Sequence, residues 1–140
     1  MKEFYIGQEA SLTKAATREA VDAYVDCTGD NNPIHVDEEY ASGTIFKECI
    51  AHGLFNLGMV STVIGTMLPG TGAILVNQQI DYLSPIYIGD EITATITIEK
   101  INQEKRMIHL TFITKNQNDK DIAEGTSLVK MMDEFSVYKS

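Results

Sequence analysis

The chain has no tryptophan, three prolines and two cysteines among its 140 residues. Cys27 and Cys49 show no Cys-x-x-Cys spacing, which excludes a thiolate zinc site and a disulfide-dense scaffold. They are read as reduced thiols in a cytoplasmic protein without a leader segment. Basic residues are scarce, 11 Lys and Arg against 20 Asp and Glu, for a net charge of −9. That balance argues against nucleic acid or an anionic membrane as partner. Lys47, Lys105 and Arg106 are read as solvated surface charges. No apolar run is long enough to span a bilayer. Low-complexity segments and internal repeats are also missing.

What is present fits one globular domain over 1–140, with 44% apolar and 22% charged residues, enough to bury a core. Thr17 suits a helix N-cap and Gly29 suits the left-handed residue that ends a helix, so a helix is expected between them. Asp37 is expected to cap a short helix over 38–41. The stretch 53–68 carries no charge and is apolar nearly all round, which predicts a buried helix. Its Gly58 and Gly65 weaken it intrinsically, so packing must hold it. Strands are expected over 8–15 and 73–83. The clearest runs over 91–101, where Ile92, Ala94, Ile96 and Ile98 share one face. Strands at 106–115 and 121–133 follow after short polar turns, which predicts an antiparallel meander. One buried helix with a mainly antiparallel sheet is an α+β arrangement.

The chemistry is expected in Thr28-Gly29-Asp30-Asn31-Asn32-Pro33-Ile34-His35. Pro33 fixes its own backbone and pushes Asn32 out of the helical region. The rigid turn that results aims Asp30 and His35 at one volume, and a carboxylate beside an imidazole is a proton-transfer pair. Asp, Asn, Gly and Pro are also ordinary turn residues, so spacing alone does not single out catalysis.

The longer string Tyr24-Val25-Asp26-Cys27-Thr28-Gly29-Asp30-Asn31-Asn32-Pro33-Ile34-His35-Val36-Asp37 resembles the signature of the MaoC-like (R)-specific enoyl-CoA hydratases, without departure. Ile50-Ala51-His52-Gly53 resembles that family's entry into its long helix, and Leu68-Pro69-Gly70 its exit. Ser84-Pro85-Ile86-Tyr87-Ile88-Gly89-Asp90 resembles its loop between strands. The resemblance implies a hot-dog fold, a sheet wrapped around one long central helix. It implies a homodimer or dimer of dimers, an acyl-CoA substrate, and reversible addition of water to a trans-2-enoyl thioester. No metal or redox cofactor is implied. Asp30 and His35 would hold the catalytic water and manage both protons. Gly53 would offer its N–H to the thioester oxygen, helped by the helix dipole. Ser61, two turns along, would support the pair, although a buried serine often bonds back to its own helix. Asn32 would orient the turn, and Gln78 would contact the acyl chain. His52 and His109 are assigned no proton-transfer role. The family's short-chain members often place an aromatic before Gln78, whereas Ile74-Leu75-Val76-Asn77 stands here, which leaves the acyl length open.

Rival activities remain on the same fold. An acyl-CoA thioesterase commonly carries a carboxylate near the central helix, and 53–68 has none. A non-catalytic acyl-thioester binding module would have no use for Asp30, Asn32, Pro33 and His35 together. A hydroxyacyl-carrier-protein dehydratase would use the same residues, but an acidic surface repels an acidic carrier.

Overall fold

A computed structural model describes residues 1–139. In chain order the elements are β1 (Lys2–Phe4), β2 (Glu9–Ala15), α1 (Arg18–Thr28), α2 (Pro33–Val36), α3 (Glu38–Ser42), α4 (Leu54–Thr66), β3 (Ala73–Tyr82), β4 (Glu91–Asn102), β5 (Met107–Lys115), β6 (Asp121–Met131) and β7 (Phe135–Val137). Five strands form one antiparallel sheet in the order β2-β4-β5-β6-β3. Its centre is the meander β4-β5-β6.

Period-two alternation is what builds this sheet. Ile92, Ala94, Ile96 and Ile98 of β4 are each 0% exposed, and Ile108, Leu110 and Phe112 of β5 continue the same face. Burying each isoleucine side chain contributes about 1.5–3 kcal/mol. Helix α4 lies on that inner face, where Met59, Val60, Val63 and Ile64 join the core.

The helix is not buried all round, as its lack of charge had suggested. Gly58, Ser61, Thr62, Gly65 and Thr66 are exposed. The sheet covers one side of α4, and the side left open carries small residues, which read as apolar only because they are uncharged. A second departure is the parallel pair β1–β7, at three residues each too short to show periodicity. Phe4 and Phe135, edge to face at 5.3 Å, pin it to the core. Among the described residues no helix is long and apolar enough to cross a membrane.

Candidate active site

Helix α1 delivers the acidic turn. Thr17 caps its start, accepting from the Ala20 N–H at 3.0 Å, and Gly29 ends it in the left-handed region at φ 78°. Asp30 follows at once. Asn32, extended at φ −50° and ψ 128°, then starts α2 with Pro33 in the first turn. Its side-chain oxygen accepts from the Ile34 N–H, and its carbonyl accepts from the His35 N–H at 2.9 Å. Asn32 thus holds the turn by local bonds and faces no ligand pocket. Arg18 adds a staple absent from the sequence reading, since its guanidinium donates to the His35 carbonyl at 2.8 Å and pairs with Glu38 at 3.2 Å.

His35 is buried, and Asp30 is about half exposed. One polar atom each of Asp30, His35 and His52 lies within 4.8 Å of the other two. The sequence reading gave His52 a structural role only, yet the fold sets it inside this cluster. Its ring stacks on His35 at 3.8 Å, and Tyr24 packs against it at 4.3 Å. His52 Nε2 lies 2.9 Å from the Asp30 carbonyl and 3.9 Å from its carboxylate. No sequence pattern joins the three, which stand 5 and 17 residues apart. The one available signal was a histidine next to a helix-opening glycine.

The bonding fixes both tautomers. A carbonyl oxygen only accepts, so His35 Nδ1, 2.7 Å from the Ile50 carbonyl, carries a proton. In the neutral ring Nε2 is then the free base. By the same logic His52 donates through Nε2 to Asp30. Each ring thus keeps one nitrogen free of partners among the described residues, beside the Asp30 carboxylate. Burial, and after it the Asp30 carboxylate, pushes the Tyr24 phenol up. Burial likewise pushes the Cys49 thiol up.

The His35 ring opens onto a pocket of about 340 Å³ whose walls include Phe46, Ile50, Leu83 and Ile86. Gly53 and Asn56 bring polar groups to the same pocket. Ile50 and Ala51 are gripped from two sides, by the Ile34 carbonyl at 3.1 Å and the Ile86 carbonyl at 2.8 Å. Gly53 caps α4, and its N–H meets no acceptor among the described residues. A Cβ at this position would lie 2.9 Å from the Tyr82 ring. Asn56, which the sequence reading passed over, is 1% exposed and holds the following peptide, Gly53–Leu54. Its amide donates to the Gly53 carbonyl at 3.0 Å and its oxygen accepts from the Thr114 hydroxyl at 2.7 Å.

Two expected members lie elsewhere. Ser61 is on the open side of α4 and makes no hydrogen bond to Asp30 or His35, nor back to its helix as Thr62 and Thr66 do. Nothing in one chain brings it to the pair. Gln78 on β3 donates across the sheet to Ser127 at 3.2 Å and does not line the pocket that His35 shares. Its register partner claims its amide.

Known proteins resemble this chain in sequence and in fold. The family model for the MaoC like domain matches residues 5–120. The (R)-specific enoyl-CoA hydratase of Rhodospirillum rubrum is 44% identical over 102 residues, 73% of this chain and 71% of that protein. The 3-hydroxybutyryl-CoA dehydratase of Methylorubrum extorquens is 34% identical over 93% of this chain and 82% of its own length. In structure, the (R)-hydratase from A. caviae involved in PHA biosynthesis superimposes with a TM-score of 0.87 at 31% identity, covering 90% of this chain and 96% of that one. The sheet and helix are therefore the hot-dog arrangement, and with a family match spanning the acidic turn, the pocket and strands β4 and β5, the chain belongs to the MaoC-like domain family.

Proposed function

We propose that this protein is an (R)-specific enoyl-CoA hydratase, adding water reversibly to a trans-2-enoyl-CoA. The observation that carries the reading is the meeting of Asp30 with His35, a ring whose Nε2 is free, beside an apolar pocket that also holds the unpaired Gly53 N–H. Water held between the carboxylate and the imidazole loses a proton as its oxygen bonds to the β-carbon. Charge moves onto the thioester oxygen, where the Gly53 N–H and the start of α4 stabilise it. The proton taken from water returns to the α-carbon, so one H and one OH are added across the double bond. The steps require no metal or redox cofactor. Delivery from one face accounts for a (3R)-hydroxyacyl product.

The substrate class follows from the pocket. About 340 Å³ is at the small end of ligand sites and supports a short acyl chain. A net charge of −9 favours free coenzyme A esters over an acidic carrier protein. The two edges of the sheet support a homodimer. Edge strand β2 exposes Glu9, Ser11, Thr13 and Lys14, whereas edge strand β3 exposes Ile74, Leu75 and Val76. An apolar free edge is a liability that a second copy removes. The reading places the enzyme in the cytoplasm.

Purified protein mixed with crotonyl-CoA should consume the enoyl absorbance and yield the (3R)-hydroxy ester on chiral analysis. Asp30→Asn and His35→Ala should each lower turnover by roughly 10²–10⁴-fold with the fold intact. Near-normal turnover in both variants would overturn the mechanism. Release of free thiol would point to thioester hydrolysis instead.

A further inference from the structure

We propose that His52 is a positioning residue of the hydratase reaction, setting both the ring of His35 and the carboxylate turn of Asp30. The proposal rests on the hydratase reading above. It comes from three contacts made by one buried side chain. The His52 ring stacks on His35 with centroids 3.8 Å apart and planes 28° apart. Its Nε2–H donates to the Asp30 carbonyl at 2.9 Å. Tyr24, six residues before Asp30, packs its ring on His52 at 4.3 Å. His52 is 3% exposed, so these contacts are not casual surface geometry.

Each contact removes a freedom that would misplace the pair. The Ile50 carbonyl fixes one nitrogen of His35 but leaves the ring free to rock about that bond. A stacked ring blocks the rocking and so fixes where Nε2 points. Asp30 lies at the end of α1, where its side chain is half exposed and bonded only to the Asn32 N–H at 3.4 Å. A donor on its carbonyl holds the backbone instead. Acid and base sit on separate elements, and His52, from the segment opening α4, touches both.

The same geometry decides which ring takes the proton. His52 already gives its Nε2–H to a carbonyl and turns a ring face to its neighbour. A neutral ring face stabilises the imidazolium that forms on His35. The titratable and charged groups around the pair are Asp30, Tyr24, Arg18, Glu38 and Cys49, with Tyr82 beyond Gly53.

Two variants each keep one half of the role. His52→Phe keeps the stack and loses the donor, and His52→Gln keeps a donor and loses the stack. Both should lower kcat on crotonyl-CoA on the order of 10²-fold, the usual effect of misplacing a reacting group by about 1 Å. KM should stay within about threefold, because the loss falls on the transition state. NMR relaxation of the His35 ring should show it rigid in the wild type and mobile in His52→Gln. A kcat within about twofold of wild type in both variants would overturn the proposal. So would a His35 ring as rigid in His52→Gln as in the wild type, whatever happens to the rate. A wild-type protein that turns over no enoyl thioester would refute the hydratase reading alone. The NMR measurement would still decide whether His52 sets the ring.

Discussion

Residues 91–131 and residues 16–53 are built on opposite plans. In the first, every second side chain of β4 and β5 enters the core, and Ile92, Ile96, Ile98 and Ile108 are fully buried. Any one of them is replaceable in kind, because burial is non-directional. In the second, buried residues are scattered: Ala16, Val21, His35, Ala41, Cys49, Ala51 and His52. Order there comes from single directional bonds. Thr17, Asn32 and Asp37 cap three helices, Arg18 staples α1 to α2, and two histidines reach backbone carbonyls. A periodic core confers stability that tolerates exchange, whereas a bonded turn confers position that does not. Substitutions should therefore separate by region, melting temperature responding in one and turnover in the other.

The largest test of stability falls on Gly125 in β6. It stands in register between Ile80 and Phe112, and a Cβ there would land on the Gln79 carbonyl and 2.7 Å from the Phe112 ring. Backbone cannot yield as a flexible side chain does. Gly125→Ala should cost about 3 kcal/mol and lower Tm by roughly 10 °C, while the folded fraction keeps its kcat. Thermal melting beside turnover per folded molecule checks this. A fall in kcat as large as that in Asp30→Asn would break the separation.

Thr114 should straddle the divide. It belongs to β5, in the periodic half, but its hydroxyl serves Asn56, which in turn holds the Gly53 carbonyl. Thr114→Val leaves the buried Asn56 oxygen without a donor, at about 1–3 kcal/mol. The Gly53 peptide should loosen as well, reducing kcat on the order of tenfold. Loss of stability alone would mean that Asn56 keeps its place without Thr114.

The same contrast explains what the sequence disclosed. Alternation in β4 predicted its buried face residue by residue, and Thr17, Gly29 and Asp37 marked helix ends where the structure has them. These signals are local, one residue acting on neighbours within a turn. Asp30 and His35 were read from one contiguous motif, and Gly53 from a second segment of the resemblance. What was missed is long-range. His52 meets Asp30 across 22 residues and Thr114 meets Asn56 across 58, and no period connects them. Ser61 and Gln78 were carried over from the resemblance, but in this chain one faces outward and the other bonds Ser127. The open side of α4 was misjudged because glycine, serine and threonine carry no charge and yet need no burial.

The smallest test is the most exacting for the separation, because it acts on stability from within the functional half. Thr17 caps α1 at the end away from Asp30, through its bond to the Ala20 N–H. Thr17→Ala should cost about 1 kcal/mol and lower Tm by a few degrees. The far end of α1 is held independently, by the Gly29 N–H on the Val25 carbonyl at 2.7 Å and by His52 on Asp30. Fraying of a cap dies out within the first turn, so Asp30 should not move and kcat should be unchanged. Turnover that fell along with Tm would mean that α1 transmits disorder along its whole length. Position at Asp30 would then depend on the helix as a unit, with the local bonds around Gly29 insufficient by themselves.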